Sequence, residues 1–419
     1  MPHACSGFRP ALLVAALAGL GWSGFCAESD AMSYREATVF LGKYTQVVEL
    51  KGAGGARVAV CPEWQGRVMT STCTGPEGLS FGFINAPYIE QGKVNLHFNN
   101  YGGEDRMWLS PEGGPFSLWF KPGEPQDLDH WFTAPALNVG EWGVTASGGD
   151  FCRMQQRMTL ENASATRFDL GVVREVRLLG GEQLAGLFGP HAAAAMTGQG
   201  VKLVAYETAN SITNHGAPLT KAKGLVSIWM LGMLNAGPDN VVIVPYKPGD
   251  PSSLGPVVKS DYFGPVPADR LKITPEAILF RADAECRSKL GTSQRRARNV
   301  LGSIDFRAGV LTLVQFTMPS DPTQHPYMNN MWGVPQKEPY VGDVANTYND
   351  GPSAPGKPGM GNFYEIESVS PAAELKTGET LIHRHRTVHL QAEPMVLREL
   401  AQQVLGVDLN KVRREMLGR

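Results

Sequence analysis

The chain has 419 residues, with 38 Lys and Arg against 40 Asp and Glu, for a formal net charge of −2 at pH 7. Its densest basic run is only Arg295-Arg296-Ala297-Arg298, which argues against nucleic acid as a partner, because phosphate backbones are held by extended basic stripes. An anionic polysaccharide stays open, since a few arginines in a cleft bind one without altering net charge.

At the start, Arg9 precedes the apolar run Ala11–Gly24, and small Ala27 follows. That is the layout of a secretory signal over 1–27, and the run is too short for a transmembrane helix. The expectation is an exported protein, periplasmic or secreted, with no membrane span in its mature form. Cys26 raises the question of a lipid anchor, but Phe25 stands where such a site wants a small residue, so a lipoprotein is the less favoured reading. Four cysteines remain: Cys61, Cys73, Cys152 and Cys286. No CxxC or Cys/His cluster points to zinc, and the cysteines read as buried thiols or one modest disulfide.

A short helix is expected around Tyr34–Gly42. Strand-like runs follow at Arg57–Cys61, Arg67–Cys73, Cys152–Leu160, Arg167–Leu178, Val201–Tyr206, Leu225–Met230, Val241–Tyr246, Ala277–Ala282 and Val310–Met318. They alternate or are rich in Val, Thr, Phe and Tyr, and turn residues separate them. At the end, Pro394 opens a helix whose apolar face holds Val396, Leu397, Leu400, Ala401, Val404 and Leu405, and Gly406 stops it. Asp408 is placed to cap a last short helix. Strands at this density without long alternating helices predict packed antiparallel sheets. The chain divides into a signal over 1–27, one β domain over 28–392, and a helical extension over 393–419 packed on it.

Pro319–Gly361 differs from the rest. It carries seven prolines before Gly356, with Tyr327, Trp332, Tyr340 and Tyr348 spaced through it. An irregular stretch of that length is usually functional or disordered, and its aromatics favour a loop lying across a sheet face.

Two segments carry candidate chemistry. In Gly361–Leu390, strand alternation puts Glu365 and Glu367 on one face, ~7 Å apart, and Tyr364, Ile366 and Ser368 on the other. Paired carboxylates suit general acid–base work or a cation, although a solvated strand face would look the same. His383, His385, Thr387 and His389 also share a face, and of the three histidines only His383 and His385 are close enough in register to meet at one point. Ordinary hydrogen-bonded histidines are preferred there to a metal site. In Tyr101–Gly114, Glu104, Asp105, Arg106 and Glu112 crowd a glycine-flanked loop beside Trp108. Such groups can hydrogen-bond sugar hydroxyls while an aromatic ring stacks on the sugar's apolar face; a structural turn is the competing reading. There is no GxSxG for a serine nucleophile and no phosphate loop ending in Lys-Ser/Thr.

The acidic strand before Ser370-Pro371, the Lys376-Thr377-Gly378-Glu379 turn and the alternating strand after it resemble the close of the galactose mutarotase-like supersandwich found in aldose 1-epimerases. Tyr101–Gly114 and Glu63–Val68 are similar to other parts of that superfamily. The resemblance implies a mainly β, antiparallel supersandwich with small peripheral helices, no cofactor, and a saccharide in its concave face. It implies a late glutamate as base, matched by Glu367 with Glu365 in reserve, and a histidine acid, matched by His191 or His97. Arg67, Glu104, Asp105, Arg106, Trp108, Glu112 and Trp332 are the expected sugar-holding residues. Around His191 the chain reads Ala192–Ala195 rather than the epimerase Asn-His-x-x-Phe-Asn-Leu pattern. A glycan-binding protein without turnover therefore stays open, as does a polysaccharide lyase or hydrolase.

Overall fold

The computed structural model describes residues 32–354 and 356–419. The expected signal segment and Cys26 lie outside the described residues. Among those described, strands form three antiparallel sheets. The largest has ten strands in the order Leu271–Ile273, Ala277–Arg281, Asn240–Pro245, Val300–Asp305, Val310–Phe316, Thr380–Gln391, Lys202–Asn214, Arg167–Leu178, Phe151–Glu161, Gly143–Ser147. The second has five, ordered Ser288–Ser293, Asp343–Asn349, Phe363–Val369, Ser227–Asn235, Arg106–Ser110. A three-stranded sheet of Val48–Lys51, Arg57–Cys61 and Arg67–Thr72 joins the second through the bridge Val68–Asp105.

The five-stranded sheet lies over the ten-stranded one, and alternation decides what each face meets. Ile366, Tyr364, Met230 and Ile228 point into the core shared with Val204, Tyr206, Val314 and Phe316 of the large sheet. The Ser303 and Tyr364 hydroxyls, 2.7 Å apart, link the layers. The other face of the large sheet, with Val241, Ile243, Leu311, Leu313, Val388 and Leu390, is covered by helices. Those helices are Gly181–Phe188, Pro190–Met196 and the expected C-terminal pair, Pro394–Leu405 and Leu409–Leu417. Gly406 adopts φ 75°, the left-handed conformation that ends the first of the pair. Asp408 caps the second by accepting from the Asn410 amide at 2.9 Å.

The architecture is thus the mainly β antiparallel sandwich expected from sequence. Pro319–Gly361 is only partly irregular, because Asp343–Asn349 inside it is a fully buried strand of the five-stranded sheet. Its prolines end at Pro339 and resume at Pro352, leaving Asp343–Asn349 free to donate its amides to the ladder. Cys61, Cys73, Cys152 and Cys286 are all free, and the first three are buried.

Candidate active site

The face of the five-stranded sheet turned away from the core floors a cavity of about 670 Å3. Strand alternation selects what it presents. Glu365 stands opposite Tyr348 and Met233, Glu367 opposite Asn346 and Leu231, Leu231 opposite Arg106, and Tyr348 opposite Lys289. Charges therefore pair along diagonals. Arg106 Nη2 donates to Glu365 Oε1 at 2.8 Å, while Lys289 Nζ donates to both Glu367 oxygens at 2.9 and 3.1 Å.

The two glutamates differ sharply. Glu367 is 0% exposed and also accepts from Trp229 Nε1 at 2.8 Å, so its carboxylate is enclosed and fully engaged. Glu365 lines the cavity, is 6% exposed, and has one arginine bond. Burial, opposed by Arg106 and reinforced by Glu367, pushes its carboxyl up to about 7. Arg106 is itself held between two rings, 4.1 Å from the Trp108 centroid and 5.0 Å from that of Phe98. Its Nε and Nη1 are buried without a hydrogen-bond partner, which leaves two donors of the guanidinium unsatisfied.

Glu112 also lines the cavity. Its Oε1 accepts from Trp131 Nε1 at 2.9 Å and from Trp332 Nε1 at 3.1 Å. Burial raises its pKa, against the pull of Lys289 and the two indoles. Trp332 reaches it because the chain at Gly113 presses against Met331, where a Cβ would fall 2.1 Å from the carbonyl oxygen. Glycine there lets backbone approach backbone. Asn330 Oδ1 fixes the same junction, accepting from the Ser110 hydroxyl at 2.6 Å and the Glu112 amide at 2.8 Å. His97 sits on the rim with its ring stacked on Phe132. Its Nδ1 lies 2.7 Å from the Trp131 carbonyl; a carbonyl only accepts, so Nδ1 carries a proton.

This geometry can be set beside known proteins. Residues 32–416 match the model described as "Family of unknown function (DUF6786)". The chain belongs to that family. No curated protein matches the sequence. Among solved structures, the DUF6786 chain is similar to a galactose mutarotase-like protein from Lactobacillus casei, with 9% identity, 83% of this chain and 100% of that one covered, and a TM-score of 0.43. It is also similar to a galactose mutarotase related enzyme from Lactobacillus acidophilus, with 8% identity, 83% and 98% covered, and a TM-score of 0.45. A protein proposed as an aldose 1-epimerase from Escherichia coli K12 gives 10% identity, 83% and 99% covered, and a TM-score of 0.45.

Six of the residues singled out in sequence meet at the cavity of this DUF6786 chain: Glu365, Arg106, Trp108, Glu112, Trp332 and His97. Five do not line it. Glu367 is on the same sheet face but is enclosed by Lys289 and Trp229, which line the cavity in its place. Asp105, one residue before Arg106, points the opposite way and pairs with buried Arg174. Glu104 accepts from the Ser71 hydroxyl at 2.6 Å and the Tyr206 hydroxyl at 2.9 Å, and lies 2.9 Å from His389 Nε2, between the sheets. Arg67 is 1% exposed and donates to the Gly102 carbonyl at 2.8 Å. His191 is exposed on the Pro190–Met196 helix, on the far side of the large sheet. Of the Tyr101–Gly114 segment, only the alternate residues Arg106 and Trp108, together with Glu112, line the cavity. His383 and His385 do meet, at the Ser368 hydroxyl, 2.8 and 2.9 Å away. No group of three or more His, Cys, Asp or Glu among the described residues is arranged to hold a metal ion.

Sequence reasoning missed Lys289, Arg287, Trp131 and Trp229, which also line the cavity. Lys289 sits in Ser288–Ser293, whose Ser, Gly and Lys content hides a strand. Trp229 was legible in principle, as it falls within a run already read as a strand.

Proposed function

We propose that this chain binds a saccharide on the open face of the five-stranded sheet and acts on it by acid–base chemistry, in the manner of an aldose 1-epimerase. The observation that carries the reading is Glu365: a carboxyl that burial pushes up to about 7, inside a cavity that four tryptophans also line. A group with that pKa both holds and releases a proton at neutral pH, which is what general catalysis requires. Trp131 and Trp332, both half-buried, are placed to offer ring surface to the apolar side of a sugar. His97, half-exposed at the rim, is placed to meet its hydroxyls. A volume of about 670 Å3 is in the usual range for a small-ligand site.

In the proposed reaction Glu365, protonated, gives its proton to the ring oxygen while Glu112 takes the proton of the anomeric hydroxyl. The bond from the anomeric carbon to the ring oxygen breaks and a carbonyl forms. Rotation and closure on the other carbonyl face run the same transfers backwards. Two carboxyls in different environments supply an acid and a base together. Glu365→Gln is the test: anomer interconversion is expected to fall at least about a hundredfold with the fold intact. A variant as active as the wild type sinks the assignment.

The position of His191 favours a second reading. With the expected histidine acid outside the cavity, the chain would be a glycan-binding protein without turnover. That reading predicts sugar affinity in the wild type and in Glu365→Gln, with no anomer interconversion in either.

A further inference from the structure

The charges lining the cavity are not evenly paired. Arg106 has Glu365, and Lys289 has Glu367. Glu112 is held by two indole N–H groups. Asp129 is exposed at the mouth. Arg287 alone of the three lining cations makes no ion pair among the described residues, although it is half-buried.

Arg287 is nonetheless held in place. Its guanidinium lies 4.1 Å from the Phe263 ring centroid. Its Nε donates to the Tyr348 hydroxyl at 3.2 Å, and that hydroxyl donates to Asp350 Oδ1 at 2.8 Å. The stacking and the Nε bond fix the plane and leave Nη1 and Nη2 with no hydrogen bond among the described residues. A planar guanidinium with its terminal fork free is matched to a carboxylate, which it binds through two parallel bonds.

We infer that the ligand is an acidic saccharide, a sugar carrying a carboxylate, and that Arg287 is the residue that selects it. The inference rests on the saccharide reading above and adds the substrate class. A uronate brings one negative charge to one unpaired cation. A sugar phosphate would bring up to two into a cavity that already holds Glu112 and Glu365. A neutral sugar would leave the Arg287 fork without an anionic partner in a partly desolvated site.

The test is calorimetric titration of the full chain at pH 7 with glucuronate, galacturonate, glucose, galactose and glucose 6-phosphate. The wild type is expected to bind one uronate at least about tenfold more tightly than its neutral counterpart, the size of one charge-assisted contact. Arg287→Gln is expected to lose that preference while keeping its affinity for the neutral sugar. Arg287→Lys, which keeps the charge and loses the fork, should fall between. Equal binding of uronate and neutral sugar by the wild type, or an undiminished preference in Arg287→Gln, overturns the acidic-sugar inference and leaves the saccharide reading standing. Tighter binding of glucose 6-phosphate than of either uronate overturns the carboxylate assignment. Binding of none of the five overturns both readings together.

Discussion

Two arginine–carboxylate pairs lie on opposite faces of the five-stranded sheet, built from neighbouring residues. Arg174 and Asp105 are each 0% exposed, and their polar atoms are saturated. Arg174 also donates to the Gly66 carbonyl at 2.9 Å and Asn210 Oδ1 at 2.6 Å, and the Thr208 hydroxyl donates to Asp105 at 3.1 Å. Arg106 and Glu365 are nearly as buried, yet two N–H groups of the arginine lack partners and the carboxyl is pushed to about 7. Burial alone does not distinguish them. The difference is that one pair is closed off by further hydrogen bonds and the other borders a cavity, so the first holds the layers together and the second is available for chemistry.

The largest effects should come from breaking the closed pair. Asp105→Asn or Arg174→Met leaves an uncompensated buried charge and is expected to cost about 3–5 kcal/mol in urea unfolding. Glu365→Gln should cost clearly less than Asp105→Asn, because near neutrality that carboxyl already carries only part of a charge. Equal losses would erase the distinction drawn between the pairs.

Titration sharpens the comparison next. Burial holds His383 down at about 3 and His385 at about 4, so both are neutral in the fold. The unfolded chain takes up their protons first. Their contribution is complete above about 6.5, the ordinary histidine value, and is lost as pH falls towards 4 and 3. Glu365 runs the other way, since its raised pKa gives a contribution that is full below about 4.5 and lost as pH rises through about 7. Urea midpoints measured from pH 4 to pH 8 should decline on the acid side in wild type and in Glu365→Gln alike. The decline between about 4.5 and 7 that belongs to Glu365 should be missing from the variant.

The smallest expected effect is at the cavity wall. Trp332→Phe keeps a ring but removes one of the two N–H donors to Glu112. A loss of sugar affinity of about threefold to tenfold is expected from one hydrogen bond, read by fluorescence titration. No change would remove Glu112 from the binding surface.

Much of this was legible in the chain. Alternation placed Glu365 with Glu367, set the three histidines of the Thr380–Gln391 strand on one face, and marked both C-terminal helices through Pro394, Gly406 and Asp408. What alternation could not supply was the partner of each face. It gave Glu365 and Glu367 equal standing, and only Lys289 and Trp229, arriving from strands 78 and 138 residues away, separate them. The glycines flanking the Tyr101–Gly114 loop carried no partner in the sequence either; a Cβ at Gly102 or Gly113 would strike a neighbouring carbonyl at 2.1 Å, so they are room for backbone. His191 followed from the resemblance alone, and a resemblance in sequence does not say on which side of a sheet a helix packs.

The central claim is tested most directly by the rate of anomer interconversion of a bound sugar, followed by NMR exchange in the wild type and in Glu365→Gln between pH 5 and pH 9. The account predicts catalysis in the wild type that declines as pH rises through about 7, where Glu365 loses its proton. It predicts none in the variant, which should still bind the sugar. A wild-type rate that keeps rising with pH, or a variant that turns over as fast as its parent, would contradict it.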